Sequence, residues 1–323
     1  MKFDYSRIQR TADVMRLLTA FVVVIGTGGA ADLIVDLRRT GVRRFKLLDK
    51  DTVTDANLCR QGFEWADIGR PKVEAVADRL RRLDPEVEVT TLTADFCEMT
   101  DEDIDREFGD ADLFIFATDY FPAQARGNQV ALRLQKPALW LGMYAGGVGG
   151  EVAFWHPGID ACYRCLCEKR YVAHELAKVN GQSLDPASDG CTIFDIGFVD
   201  AIAGQLAIGL LTRGSDNRYG KLIDALGDRN FIQTQIDPDW TINRRRIVRE
   251  KLGVPDACKE FFAWNTIART DPESGVQSLP GLRAISWRCC RAVISRNADS
   301  DARKTTGDAE LSDQAEQEME FEG

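Results

Sequence analysis

Charged and amide side chains cluster between positions 49 and 72 of this 323-residue chain. The acid Asp49 ends a short apolar run, and the amides Asn57 and Gln61 and the cations Arg60 and Lys72 follow it. One carboxylate suits the hydroxyl groups of a ribose, whereas two nearby cations suit a chain of phosphates. The cluster therefore predicts a site for a nucleoside triphosphate that undergoes displacement.

A glycine-rich turn, GTGGAA, precedes this cluster. Its glycines, Gly26, Gly28 and Gly29, follow the apolar run FVVVI and lead into a helical pattern. Glycines let backbone N–H groups approach a phosphate at a helix N-terminus, where the dipole favours negative charge. The turn ends in Ala31, which the dinucleotide fingerprint also tolerates. By itself the turn fits an NAD-dependent oxidoreductase as well as other nucleotide enzymes.

Alternating strands and helices must position these residues. Short apolar runs predict strands, and apolar residues at helical spacing predict helices between them. The predicted strands are 21–26, 45–51, 87–92, 112–118 and 137–144, and the predicted helices include 70–83 and 121–134. This alternation indicates a doubly wound, mostly parallel, Rossmann-like α/β sheet.

The pattern changes after residue 144. GGVGGEVAFWHPG predicts an antiparallel continuation, 196–214 predicts a long apolar helix, and 222–247 is interpreted as two strands joined at GDRN. The final stretch is polar and acidic, and it has too few large apolar groups to offset the entropy of ordering. We expect three regions: a main domain over 1–215, an appendage that shapes the partner site over 216–297, and a disordered tail over 298–323.

Two segments resemble a known family. LLDKDTVTDANLCRQ, which starts at Leu47, and IGRPKVEAVADRLRRLDPEVEV, which starts at Ile68, are similar to the signature of the ThiF/MoeB/HesA family of ubiquitin-activating-like adenylyltransferases. The similarity covers about residues 5–213. It implies ATP- and Mg²⁺-dependent adenylation of a carboxylate with release of pyrophosphate. The carboxylate would be the C-terminus of a ubiquitin-like or sulfur-carrier protein, or that of a ribosomal peptide.

The resemblance also assigns roles to individual residues. Asp49 would bind the ribose, with Asp51 in the same site. Asn57, Arg60 and Gln61 would bind the phosphates or the metal-bound region, and Lys72 would bind the phosphates. Asp119, in ATDYF, matches the magnesium-ligating aspartate of the family. Apart from the resemblance, an acid between a strand and a helix is also interpreted as a helix cap.

Near the N-terminus, YSRIQR resembles a family segment whose arginine reaches into the nucleotide site of the other subunit. Arg7 is the matching residue, although Ile8 separates it from Gln9. The resemblance therefore implies a homodimer. Without it, Arg7 is interpreted as a solvated surface charge.

Three of the nine cysteines are candidate functional residues. Cys162 and Cys165 have the C-x-x-C spacing that chelates zinc, and the family carries half of a Cys₄ zinc site here. Ser274 and Gln277 stand where the second pair is expected, which disfavours Zn²⁺ and favours two buried thiols. Cys191 matches the position of a thioester-forming cysteine in some relatives, or else is a structural or partner-facing thiol. Replacement zinc ligands would be Cys167, Cys258, Cys289 or Cys290.

Composition narrows the classes of function. The formal net charge of −10 disfavours nucleic acid, because contacts with a phosphate backbone need clustered cations. The N-terminus lacks a signal-peptide pattern, and no apolar run is interpreted as reaching the ~18 residues that span a bilayer. We expect a cytoplasmic protein without a membrane partner.

Two other functions stay open from the sequence. An NAD-dependent oxidoreductase would need a catalytic His or Lys–Tyr pair in the later half, where we recognise none. A degenerate family member would bind a nucleotide or a partner without catalysis. The complete set of nucleotide-site residues argues against that second alternative.

Overall fold

The structure is a computed structural model that describes residues 3–147, 149–182, 190–235, 246 and 263–267. These residues belong to one compact unit, Met1–Thr270. The other unit, Asp271–Gly323, lies outside the described residues, as does the predicted tail. The division into a main domain, an appendage and a tail therefore stays a prediction.

Eight strands within the described residues form one mixed sheet in the order β3-β2-β1-β4-β5-β6-β7-β8. The first five pair in parallel, and the last three continue the sheet antiparallel. The strands are β1 (Phe21–Ile25), β2 (Arg44–Leu48), β3 (Glu88–Leu92), β4 (Leu113–Phe116), β5 (Ala138–Met143), β6 (Gly149–Trp155), β7 (Phe231–Gln235) and β8 (Ala263–Ile267). The predicted Rossmann-like α/β fold with an antiparallel continuation is confirmed.

Helices fill the connections between the strands. Within the described residues they are α1 (Val14–Thr19), α2 (Ala31–Thr40), α3 (Lys72–Leu83), α4 (Asp101–Phe108), α5 (Phe121–Leu134), α6 (Tyr163–Leu166), α7 (Glu168–Val179), α8 (Ile193–Leu211) and α9 (Leu222–Leu226). Three short 3₁₀ turns lie at Asp55–Asn57, Trp65–Asp67 and Ala145–Gly147. The first two of these turns belong to the loop between β2 and α3, where the polar cluster lies.

The centre of the sheet is buried along its length. Every residue of β1, β4 and β6 is buried, as expected for strands covered on both faces. Phe116, Trp140 and Tyr163 stack in series, with ring centroids 5.5 and 4.8 Å apart. Helix α5 approaches this stack at Gly127, where a Cβ atom would lie 2.5 Å from the ring of Phe116. A glycine is therefore required for this close packing.

Helix α8 corrects one expectation from the sequence. With 19 residues and a mean hydropathy of 1.6, it is long and apolar enough to cross a membrane by length and composition alone. The prediction that no apolar run reaches this length was wrong. Half of the window is buried, however, and the helix packs against α2, β5 and β6, as the central helix of a globular core does.

Other differences lie where local signals are weak. Residues 222–226 form α9 rather than a strand, and within the described part of 222–247 only β7 is extended. Helix α4 was not predicted, although Thr100 caps it by accepting from the Asp103 N–H. Helix α7 was also missed, and only Ala177 among its residues is buried.

Candidate functional site

The glycine turn connects β1 to α2 at the carboxyl end of the parallel strands. Gly26 has a φ of +86°, and a Cβ atom there would lie 2.7 Å from the carbonyl oxygen of Ala117. Its N–H donates to Leu48 O at 2.8 Å, so the turn starts between the ends of β2 and β4. Only glycine fits both this backbone conformation and this close approach.

Asp49 holds the glycine turn to the loop after β2. Its Oδ2 accepts hydrogen bonds from Thr27 N at 2.7 Å and Thr27 Oγ1 at 3.2 Å. Its Oδ1 accepts from Asp51 N at 3.0 Å. The carboxylate is therefore fixed by its neighbours. It lies at the carboxyl ends of the parallel strands, where open α/β folds bind ligands.

The loop between β2 and α3 contributes the amides Asn57 and Gln61 and the cation Arg60 to the site. Asn57 Oδ1 accepts from Thr54 N at 2.8 Å, which closes the 3₁₀ turn on itself. Gln61 is 8% exposed, and its Oε1 has no hydrogen-bond partner among the described residues. A Cβ atom on Gly28 would lie 2.9 Å from that oxygen, so the orphaned acceptor lies against the glycine turn. A buried acceptor of this kind points to a ligand.

Lys72 is a buried cation at the start of α3. It is 8% exposed, and its Nζ donates to Asp51 Oδ2 at 3.0 Å. The two residues are brought together because the loop from β2 returns along the first turn of α3, with Lys72 N donating to Asp51 O. A buried ammonium near the glycine turn suits a phosphate chain.

Asp119 follows β4 and is exposed. The cap position of α5 is Tyr120, whose side chain makes no capping hydrogen bond. The alternative interpretation of Asp119 as a helix cap is therefore not what the structure shows. A carboxylate at this strand end has the chemistry to hold Mg²⁺ against phosphate oxygens.

These groups converge on one cavity of about 680 Å³, within the range typical of ligand sites. Cys191 lines it as well, whereas Arg7, Cys162 and Cys165 do not. Every residue predicted for the nucleotide site lines the cavity: Gly26, Gly28, Gly29, Asp49, Asp51, Asn57, Arg60, Gln61, Lys72 and Asp119. The structure thus brings the predicted set together, and the role of each member stays a prediction.

The cavity also contains residues that sequence reasoning missed. Lys50 donates to Asp95 Oδ2 at 2.8 Å and lies 5.5 Å from the ring centroid of Tyr120. This contact joins the loops that follow β2, β3 and β4. The hydrogen bond raises the pKa of Lys50 and lowers that of Asp95. Asp95 was detectable in principle, because it follows a predicted strand and neighbouring parallel strands end together.

A network of buried and half-buried polar side chains includes Tyr144, which lines the cavity. Tyr144 donates to Glu151 Oε2 at 3.0 Å, and Arg170 of α7 donates to Glu151 Oε1 at 2.7 Å. Arg170 also donates to Tyr163 Oη at 2.9 Å, and Tyr163 donates to Gln124 at 2.7 Å. Burial, followed by the charge of Glu151, raises the pKa of Tyr144 above its ordinary value. The network ties α7 to β6 and α5.

The structure describes some of the candidate zinc ligands and not others. Cys162 and Cys165 lie with their Sγ atoms 3.8 Å apart. Burial raises the pKa of nearby Cys167 to about 12. Among the described residues, no group of three or more His, Cys, Asp or Glu side chains is placed to hold a metal ion. The remaining candidate ligands, Cys258, Cys289 and Cys290, lie outside the described residues, so zinc stays a prediction.

Together these features define a Rossmann-like α/β protein with a ligand cavity at the carboxyl ends of its parallel strands. A sequence profile of the ThiF family matches residues 5–220, more than half of the chain. The protein therefore belongs to the ThiF family.

Several curated proteins are similar to this chain. The sulfur carrier protein adenylyltransferase of Thermus thermophilus is 34% identical over 161 residues, which are 48% of this chain and 58% of that protein. The sulfur carrier protein ThiS adenylyltransferase of Escherichia coli is 32% identical over 154 residues, 47% of this chain and 59% of that protein. Ubiquitin-like modifier-activating enzyme 5 of Caenorhabditis briggsae is 27% identical over 156 residues, 45% of this chain and 36% of that protein. Each match spans less than two thirds of the relative.

Solved structures share the fold. Escherichia coli MccB with ATP aligns with a TM-score of 0.56 at 18% identity, over 79% of this chain and 66% of MccB. MccB with AMPCPP and MccA aligns with a TM-score of 0.56 at 19% identity, over 80% of this chain and 66% of MccB. At these identities the likeness establishes the fold alone.

Proposed function

We propose that this protein uses ATP to adenylate a carboxylate and releases pyrophosphate. The observation that carries the proposal is the convergence of two cations, an orphaned amide oxygen and a strand-end carboxylate on the cavity that the glycine turn lines. Two relatives are named as adenylyltransferases and one as a modifier-activating enzyme, which supports the same chemistry.

In the reaction, a carboxylate oxygen attacks the α-phosphorus of ATP. The bond from the α-phosphorus to the oxygen that bridges it to the β-phosphorus breaks, and pyrophosphate leaves with the electron pair. Such a displacement depends on positioning and charge rather than on a covalent enzyme intermediate. Arg60 and Lys72 would hold the phosphates and stabilise the charge that develops on pyrophosphate. Asp49 would accept hydrogen bonds from the ribose hydroxyls.

Asp119 is our proposed ligand for Mg²⁺. One carboxylate oxygen is a weak site alone, but phosphate oxygens of ATP supply further hard ligands of the kind this ion prefers. When bound, the ion would offset phosphate charge during the displacement. Asp119 lines the cavity and is exposed beside the strand ends, which fits a Mg²⁺ ion held between this carboxylate and the phosphates.

For the acceptor we propose the C-terminal carboxylate of a sulfur-carrier or ubiquitin-like protein, or that of a peptide. A flexible C-terminus can reach a cavity that a folded protein cannot enter. We further propose a homodimer in the cytoplasm.

Binding of ATP with Mg²⁺, compared with binding of NAD, is the first test. We expect a preference for ATP that is weakened by Arg60→Ala and by Asp119→Ala. Matched controls are Arg106→Ala and Glu102→Ala, which remove exposed charges on α4 outside the cavity and should leave affinity unchanged. A preference for NAD would instead support an oxidoreductase and overturn the proposal.

Pyrophosphate exchange into ATP then tests the chemistry. Exchange should require a carboxylate partner, with sulfur-carrier proteins and peptides that have free C-termini as the panel and amidated C-termini as the control. Exchange with free but not amidated termini supports adenylation. ATP binding without exchange for any partner would favour a degenerate family member.

A further inference from the structure

Helix α8 forms one wall of the cavity through a single face. Ile196, Val199 and Asp200 line the cavity at spacings of three and four residues, which place them on the same side of a helix. Two of the three are apolar, as expected for a helix of the core. Asp200 is the exception, and only 8% of it is exposed.

Asp200 lies at the first turn of α2, beyond the glycine turn. The N–H of Leu33, the third residue of α2, favours the ionised form of the Asp200 carboxyl group and so acts to lower its pKa. Helix α8 packs against α2, and Asp200 lines the cavity close to this contact. Asp200 is therefore a buried acid of the site rather than a solvated surface charge.

The surroundings of Asp200 oppose a negative charge. Burial raises its pKa well above the ordinary value, and Asp32 and Asp36 of α2 add to this effect, whereas the Leu33 N–H opposes it. Asp32 and Asp36 each form an ion pair with an arginine. Arg79 lies 2.6 Å from Asp32, and Arg39 lies 3.0 Å from Asp36. The other charged groups along the cavity include Asp49, Asp51, Asp119, Arg60 and Lys72.

Two anions, a triphosphate and a carboxylate, would have to enter the cavity for adenylation. An ionised acid that faces their charged oxygens directly would repel both, whereas a neutral carboxyl group can donate a hydrogen bond to an anionic oxygen. The orphaned Oε1 of Gln61 in the same cavity is a second, independent sign that a ligand completes the site.

We propose that Asp200 binds an anionic oxygen of the nucleotide by donating a hydrogen bond from its neutral carboxyl group. This inference rests on the proposed ATP site and adds a binding residue to it. It makes nucleotide affinity depend on pH, because only the protonated form donates. Affinity is then highest while Asp200 is neutral and falls as the pH rises through its pKa.

The test measures Kd for ATP in the unaltered protein and in Asp200→Asn and Asp200→Ala variants, from mildly acidic to mildly alkaline pH. Asparagine keeps the shape and an N–H donor, and it does not ionise. We expect the Asn variant to match the unaltered protein at acidic pH and to bind ATP more tightly than it at alkaline pH. Titration of ATP itself cancels in the ratio of the two constants. The Ala variant should be weaker by roughly tenfold, as for one lost hydrogen bond to a charged group.

Asp224→Asn, at an exposed acid that pairs with Arg213, is the matched control and should give a ratio near one at every pH. Thermal unfolding of each variant reports whether the substitution changes the fold. Because asparagine keeps the shape of the buried side chain, the ratio for the Asn variant decides the outcome. A ratio that does not change with pH, or an Asn variant as weak as the Ala variant, overturns the role of Asp200 while leaving the ATP site intact. No ATP binding by the unaltered protein overturns both proposals.

Discussion

Lys72 and Asp51 are joined by a hydrogen bond of 3.0 Å between Nζ and Oδ2, although both residues are predicted to serve the nucleotide. The lysine side chain is 10% exposed and the aspartate side chain 54% exposed. A buried ammonium without a partner is costly, so Asp51 stabilises Lys72 in this arrangement. Entry of a phosphate chain would replace one anionic partner by another.

This exchange predicts different effects for the two residues. We expect Lys72→Met, which keeps the apolar stem, to weaken ATP binding by about tenfold or more, because a charge-assisted hydrogen bond is lost. Asp51→Asn should have a smaller effect, since the amide oxygen still accepts from Lys72. Calorimetric titration with ATP measures both. An equal loss in the two variants would show instead that Asp51 contacts the nucleotide directly.

Gly26 and Gly69 allow two effects of a glycine substitution on stability to be separated: strain in the backbone conformation, and contact of the added Cβ atom with its neighbours. Their φ angles are +86° and +84°, but a Cβ atom meets Ala117 O at 2.7 Å on Gly26 and nothing within 4 Å on Gly69. Gly69→Ala should cost roughly 1–2 kcal/mol for the left-handed conformation alone. Gly26→Ala should cost more and should also weaken ATP binding, because the turn must shift. Urea unfolding and ATP titration of the pair test this, and equal losses of stability would contradict it.

The sequence predicted the strands around the site because buried parallel strands appear as short apolar runs, and strand ends mark where ligands bind. Asp49 and Asp119 were recognisable in this way. Asp200 was not, because one acid inside an apolar helix has no spacing signal, and its role depends on the packing of α8 against α2. The contact between Lys50 and Asp95 likewise depends on the register of β2 with β3, which aligns Leu48 with Leu92.

Two adjacent arginines on α2 allow the contribution of a buried ion pair to stability to be compared with that of an exposed one. Arg38 Nε donates to Asp84 at 2.7 Å, with both side chains 4% exposed, whereas Arg39 pairs with Asp36 at the surface. Burial opposes ionisation of Asp84, but hydrogen bonds from the Glu86 N–H and from Arg38 hold its pKa below 3.8. Its folded pKa is lowered, so the pair stabilises the fold above about pH 4, and this contribution is lost as the pH falls through the folded pKa.

Arg38→Met should therefore destabilise the protein by roughly 3–5 kcal/mol at neutral pH, because the carboxylate of Asp84 is left buried without its partner. Arg39→Met should change stability by less than about 1 kcal/mol. Urea unfolding at neutral and at acidic pH measures both variants. The difference between them should shrink in acid, where Asp84 is protonated, and a difference that is constant with pH would refute this account.

Cys191 lines the cavity, whereas Cys59 is exposed and lies outside it. We expect ATP with Mg²⁺ to slow alkylation of Cys191 by iodoacetamide and to leave the rate at Cys59 unchanged, because a bound nucleotide restricts access only within the cavity. Peptide mass spectrometry resolves the two sites. Equal rates at Cys191 with and without ATP would place the nucleotide away from this thiol and remove support for a thioester role.

Arg7 is exposed and does not line the cavity of its own chain, so a role in the nucleotide site requires a second subunit. We expect Arg7→Ala and Arg60→Ala each to abolish pyrophosphate exchange. In a mixed dimer, the subunit with Arg7→Ala keeps Arg60 and receives an intact Arg7 from its partner. Equal mixing after subunit exchange should restore about a quarter of the activity, because half of the dimers are mixed and each has one complete site.

The control for this experiment is a mixture of Arg60→Ala with Asp119→Ala. Both residues line the same cavity, so no combination of these subunits contains a complete site. Recovery in the first mixture but not in the second requires Arg7 to act across a dimer interface. If neither mixture recovers although the subunits exchange, Arg7 does not act on the partner's nucleotide, and the interpretation of Arg7 as a solvated surface charge is correct.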